Sequence, residues 1–305
     1  MAGSYQEWST LSIEPEAYRI IEAPLCVESN WSGIDMAPQA MLRAGLAKTP
    51  AGRDTVSLPP ADWRPERSTD GVLNPLQVRE YTLNLADTVH EAMRSGRVPI
   101  VLGGDCTILL GCLLGMRRTR SARLFFLDGH MDFYAPEQSP TGETADMELG
   151  LAVGRGPEVL TEYGLGGPLV SENDTAVFGF RDEAIVEAIG GTNVRDSAMH
   201  CASLSDIRLG GFSNAVCGAL AFLGESDPFW LHVDLDVLNP WEMPAVDYPM
   251  ADGLRWGELY GVIRRCAATE RLAGLDVTIF NPTFDWDGSV AQTIARVLTA
   301  ALGLR

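Results

Sequence analysis

Basic residues are scarce in this chain. Lys and Arg total 23 against 41 Asp and Glu, a formal net charge of −18. Nucleic-acid binding and docking on anionic lipid both need a basic footprint, so neither nucleic acid nor membrane is expected as a partner. The longest apolar run surrounds residues 108–116, too short to span a bilayer. The opening residues, MAGSYQEWSTLSIEPE, lack a basic segment followed by an apolar one, so no signal peptide is expected. Six cysteines, at 26, 106, 112, 201, 217 and 266, form no CxxC pair. That excludes a zinc-finger pattern and gives no disulfide framework, leaving them mostly as small buried apolar residues. Internal repeats, low-complexity tracts and sharp shifts of composition are also missing. The expectation is a soluble protein of a reducing cytoplasm. One domain covers 1–305, with 1–17 as a loosely attached segment.

What is present is an ordinary globular composition, 46% apolar over 305 residues, ample for a large core. Short apolar runs at 18–22, 98–102, 124–127, 176–180, 229–233 and 275–280 read as strands. Most are continuous rather than alternating, as parallel strands covered on both faces should be. Helical spacing lies between them. Tyr81, Leu85, Val89 and Met93 recur on one face before Gly96, a helix is expected over 256–268, and another follows Asp287. The alternation predicts an α/β fold, three-layer α/β/α with a central, mainly parallel sheet. The stretches 49–73 and 164–174 read as loops.

The informative feature is where the acids fall. Three predicted strands run into Gly103-Gly104-Asp105-Cys106, Asp128-Gly129-His130-Met131-Asp132 and His232-Val233-Asp234-Leu235-Asp236. Ligand sites in such sheets lie at the carboxyl ends of strands. Extended backbone would place Asp128, His130 and Asp132 on one side, and Asp234 with Asp236. Carboxylates packed there repel one another and are costly to desolvate, and one or two divalent cations remove both penalties. Oxygen donors with one imidazole suit hard or borderline ions such as manganese. A lone DxHxD can equally be helix capping; two such stations after apolar strands argue for metal.

These stretches resemble the ureohydrolase family of arginase and agmatinase, whose pattern is GGDH, then DAHxD, then SxDxDxxDP. Further pieces are Gly33 to Leu46, Gly179-Phe180-Arg181-Asp182, Gly274-Leu275-Asp276 and Asn281-Pro282, so the likeness runs in order from about residue 20 to 300. The resemblance implies an arginase-like fold, a dimanganese centre and a trimeric or hexameric homo-oligomer. One ion would be held by position 106, Asp128, Asp132 and Asp234, the other by Asp128, His130, Asp234 and Asp236. Hydroxide bridging the ions would attack the carbon of a small cationic guanidino or amidine substrate and release urea or an analogue.

Three departures qualify that expectation. Cys106 stands at the family's first histidine. It reads either as a thiolate ligand, which favours Zn2+ or Fe2+ over Mn2+ or leaves a single ion, or as a buried neutral thiol. A small branch resembling the hydroxyarginine hydrolase of D-cycloserine biosynthesis also carries Cys here, followed by DGH. The proton-shuttling histidine is absent. Asp146 falls nearest its position and either shuttles protons or caps a helix, while His232 reads as a core histidine, a partner behind the ligands or a proton relay. The guanidinium-binding glutamate is replaced by Ile279, and Ala184 stands where an acid would bind the substrate's α-amino group. Glu143, Asp146, Glu148 and Asp247 are candidate replacements, with Glu143 and Asp247 as the chosen substrate-binding pair. The alternatives are an arginase-fold protein that binds or assembles without turnover, and hydrolysis of another C–N bond such as an amide.

Overall fold

The computed structural model describes residues 11, 13–27, 33–61 and 66–305. The continuous apolar runs form a parallel sheet: β1 (Tyr18–Ala23), β2 (Val56–Ser57), β3 (Val98–Gly103), β4 (Leu124–Leu127), β5 (Thr175–Phe178), β6 (His200–Ala202), β7 (Phe229–Asp234) and β8 (Leu272–Thr278). Their order is β2-β1-β3-β8-β7-β4-β5-β6, every pairing parallel. Of the two short edge strands, β2 falls in a stretch expected as loop and β6 in none of the expected strands. Two or three residues carry no readable period, and their pairing partners alone make them strands.

Strand ends differ from the sequence expectation for local reasons. β8 ends at Thr278 because Ile279 takes a left-handed backbone (φ 66°) and turns out of the sheet. β5 ends at Phe178 because Gly179 has φ 104°, and a Cβ there would lie 2.5 Å from Val237 and 3.0 Å from the Asp128 carbonyl. Only glycine permits that approach.

The helices are α1 (Ala37–Ala44), α2 (Pro75–Arg94), α3 (Ile108–Arg117), α4 (Glu148–Ala152), α5 (Glu158–Thr161), α6 (Glu183–Ala188), α7 (Leu204–Gly210), α8 (Phe212–Phe222), α9 (Trp256–Ala267) and α10 (Ser289–Leu302). Alternate strand residues feed two separate cores. Phe125, Leu231 and Leu275 pack with Val216 of α8, Ile263 of α9 and Ile294 of α10 on one face. Phe126, Val101 and Trp230 pack with Val89 of α2, Leu113 of α3 and Leu149 of α4 on the other. The result is the expected three-layer α/β/α arrangement. Leu11 and Ile13 pack against the first core, while residues 1–10 lie outside the described residues. Among the described residues no helix is long and apolar enough to cross a membrane. The cysteines only partly match expectation: Cys106, Cys112 and Cys266 are buried, Cys26 and Cys201 half-buried, and Cys217 exposed.

Candidate metal centre

The middle strands β3, β8, β7 and β4 bring the acidic stations together. Asp128 follows β4, His232 and Asp234 lie on β7, Asp276 and Thr278 on β8, and Cys106 follows β3. Register sets the neighbours: His232 pairs with Asp276 and with Phe126, and Asp234 with Thr278. Side chains alternate along a strand, so His232, Asp234, Asp276 and Thr278 all face the layer that contains α3 and α4.

Asp128, His130 and Asp132 converge through a turn, not through the extended backbone expected from their spacing. The His130 amide donates to Asp128 Oδ1 at 2.7 Å, and Asp132 is held at φ 42°. The Asp132 carbonyl accepts from the amides of Leu149 and Gly150 at 3.2 and 3.4 Å, which ties this turn to α4. His130 Nδ1 lies 2.8 Å from Asp236 Oδ2 and 3.9 Å from Asp128 Oδ1. Asp236 sits in a short 3-10 turn after β7, where its amide donates to Asp234 Oδ1 at 2.6 Å. The Cys106 thiol donates to Asp234 Oδ2 at 2.6 Å. Asp105 stands apart from these groups: its carboxylate accepts from the amides of Val27 and Thr107 at 2.6 and 2.9 Å, a structural cap.

The electrostatics are those of crowded, dry acids. Burial, reinforced by neighbouring carboxylates, raises Asp132, Glu148 and Asp234 well above the usual carboxylate range and raises Asp128 as well. Burial and then the nearby Asp234 push the Cys106 thiol upward. Burial opposes charge on His130, but Asp236 overrides it and lifts the ring to about 9. Burial likewise opposes charge on Asp236, and the His130 ring holds it below the ordinary value. One charged Asp236–His130 pair among acids that resist ionising is what such a cluster adopts without a cation.

The residues fit a divalent cation. Asp128 Oδ2, both Glu148 oxygens and His232 Nε2 are buried with no hydrogen-bond donor among the described residues. Such orphaned acceptors are rare and costly. Two groups of ligand atoms could each surround an ion: Asp128, His130 and Asp236 form one, and Cys106, Asp128, Glu148 and His232 the other, each with atoms within 4.8 Å of one another. Of the six residues expected as ligands, Cys106, Asp128, His130 and Asp236 fall in these groups. Asp132 lies beside Glu148, and Asp234 is held by Cys106.

Above the centre is a cavity of about 190 Å³ whose walls include Cys106, Asp132, Glu143, Asp146, Tyr248 and Ile279. Asp146 Oδ2 accepts from the hydroxyls of Ser139 and Thr141 at 2.8 and 2.6 Å. Burial sets the Asp146 carboxyl at about 6 despite those donors. Glu143 is buried, and the Tyr248 hydroxyl donates to its Oε2 at 3.4 Å. Asp247 is not part of the cavity wall. It stands behind, near Glu143, and accepts from Asn281 Nδ2 at 2.7 Å. His232 is also absent from the wall. It is fully buried, stacked on Phe126 at 4.7 Å, with Nδ1 2.5 Å from Asp276 Oδ2. Direct contact with substrate is therefore closed to it. Sequence reasoning missed the pairing of His232 with Asp276, and it placed Glu148 among acids that could face substrate. Asp276 was visible only as part of Gly-Leu-Asp, and nothing local links it to a histidine 44 positions earlier.

These features define the class: a parallel α/β protein with a candidate two-ion centre at the carboxyl edge of its sheet. A model of the arginase family matches residues 16–303, and the chain belongs to that family. The arginase of Brevibacillus brevis is 26% identical over 300 residues, covering 93% of this chain and 97% of its own. The arginase structure from Bacillus subtilis superposes with a TM-score of 0.83 at 24% identity, over 94% of this chain and 99% of its own. The agmatine ureohydrolase of Thermoplasma volcanium superposes at 0.69 with 20% identity, over 99% of this chain and 95% of its own. At those identities the two structures speak for the fold.

Proposed function

We propose that this protein is a metal-dependent hydrolase that cleaves a C–N bond of a guanidino or amidine compound and releases urea or a urea analogue. The observation that carries the reading is the set of buried, unpartnered donors beneath a cavity at the sheet edge. Membership of a family that includes arginases supports the reaction class. Asp128, His130 and Asp236 are the residues to hold one ion, and Cys106 with Asp128 helps to hold a second, Asp132 and Asp234 standing beside them. Manganese suits the oxygen-rich side, and a zinc- or iron-like ion suits the thiol. Bound divalent ions supply Lewis acidity that makes hydroxide available near neutral pH.

The chain's own residues do the rest. Glu143 receives the cationic head of the substrate, and Asp247 behind it, held by Asn281, adds a second negative group near that position. A carboxylate in a dry cavity pairs strongly with a guanidinium. Asp146 gives a proton to the departing amine from Oδ1, because Ser139 and Thr141 occupy its other oxygen. Ile279 leaves its part of the wall apolar, which disfavours L-arginine held as arginases hold it. The same reading includes a homo-oligomer, trimer or hexamer, acting in the cytoplasm. Urea release should be measured from metal-supplemented protein against arginine, agmatine, hydroxyarginine and guanidino acids. Turnover of at least one supports the proposal. Asp128→Asn should abolish metal and turnover together, and zero turnover across the set with metal bound would leave a binding role instead.

A further inference from the structure

We infer that Glu148 and His232 are themselves metal ligands in this chain. With Cys106 and Asp128 they form a mixed thiolate–imidazole–carboxylate site for a zinc-like ion. The inference rests on the metal-centre reading above and completes the ligand set of its second ion.

Four observations converge. First, one ligand atom from each of these four side chains lies within 4.8 Å of the others, and all four are buried. Second, the atoms that point inward are the ones without donors: Asp128 Oδ2, both Glu148 oxygens and His232 Nε2. By contrast, Asp234 keeps the Asp236 amide on one oxygen and the Thr278 hydroxyl on the other once Cys106 gives up its proton to bind the ion. Third, Asp276 accepts from His232 Nδ1 at 2.5 Å and from Trp230 Nε1 at 2.5 Å, so the ring is held rigidly. With the proton on Nδ1, the Nε2 lone pair faces Asp128 Oδ2 at 3.9 Å. That carboxylate–histidine pairing is how proteins orient an imidazole toward a metal. Fourth, the acids Asp128, Asp132 and Asp146 crowd Glu148, with Asp132 as its hydrogen-bond partner when one of the two holds a proton. Carboxyls facing one another in a dry pocket must either hold protons or share a cation, and an ion displaces the protons.

The donor chemistry selects the ion. One sulfur, one nitrogen and two carboxylate oxygens from four side chains suit a four-coordinate, borderline-soft ion such as Zn2+, whereas Mn2+ favours oxygen donors. The neighbouring group of Asp128, His130 and Asp236 lacks sulfur and remains the harder position. Asp128 belongs to both groups and can bridge them.

The test uses the full chain loaded with zinc and manganese, with bound metal counted by elemental analysis and zinc affinity measured by chelator competition. Glu148→Gln and His232→Gln should each lose one equivalent of zinc, or weaken it by more than the ~10–100-fold that loss of an outer partner costs, while keeping the second ion. Asp132→Asn should keep the zinc. The inference is overturned if Asp132→Asn loses the ion and the other two variants keep it. Wild-type protein that binds no metal at all would defeat the broader reading instead. Should the variants fail to fold, anomalous scattering from zinc-loaded wild-type crystals decides. An ion about 2.0–2.4 Å from Cys106 Sγ, His232 Nε2 and a Glu148 oxygen supports the site. An ordered water there, with ions only elsewhere, overturns it.

Discussion

Substituting Asp276 by Asn tests the link between core stability and metal binding. Asp276 is fully buried on β8 and is not part of the cavity wall. Its two oxygens accept from Trp230 Nε1 and His232 Nδ1, each at 2.5 Å. Asparagine keeps one acceptor and places an NH2 against the other donor, so one N–H loses its partner inside the core. Hydrogen bonds to a charged group contribute about 1.5–3 kcal/mol each, and an unsatisfied buried donor costs about 1–3 kcal/mol. The expected loss is therefore about 3–5 kcal/mol, a large share of the ~5–15 kcal/mol that holds a typical domain together. For a chain of this size that corresponds to a fall in Tm of roughly 5–15 °C. The His232 ring also loses the carboxylate that fixes its tautomer, so zinc affinity should fall about 10–100-fold. Calorimetry on metal-stripped protein reads the first effect and zinc titration the second. A Tm within 2 °C of wild type would refute the anchoring role of Asp276. A large fall in Tm with unchanged zinc affinity would show that the anchored ring does not serve the metal.

Asp146→Asn should retain both ions and lose about 10²–10⁴-fold in turnover, and retained turnover with normal metal content would remove Asp146 from proton transfer. Glu143→Gln should raise KM for a cationic substrate far more than it lowers kcat, as steady-state kinetics with the substrate found by urea release would show. Gly274→Ala should destabilise the metal-free protein by about 1–3 kcal/mol in denaturant unfolding, because a Cβ there would lie 2.3 Å from the Trp230 ring that reaches across to Asp276.

Much of the architecture is legible along the chain. Continuous apolar runs at 98–102, 124–127 and 229–233 have the signature of strands covered on both faces, and the last two lead straight into Asp128 and Asp234, where a parallel sheet opens to ligands. Asp128, His130 and Asp236 were identifiable on that basis. The edge strands β2 and β6 were not, since two or three residues hold no pattern and their identity comes from the neighbour they pair with.

Which acid faces which way is a different kind of information. Glu143, Asp146 and Glu148 fall within six positions, and no local rule ranks them. The turn at Asp132 and the start of α4 send Glu148 down toward the sheet, while Glu143 and Asp146 line the cavity. His232 acquires its partner because β7 lies beside β8 in a register that sets it opposite Asp276. By itself the sequence determined the layers, the sheet end that carries the chemistry and most of the ionisable groups there, because periodicity and strand ends are local properties. Tertiary structure alone decided the strand order, the pairing of His232 with Asp276 and the burial of Glu148, because contacts between distant segments depend on how the whole sheet assembles.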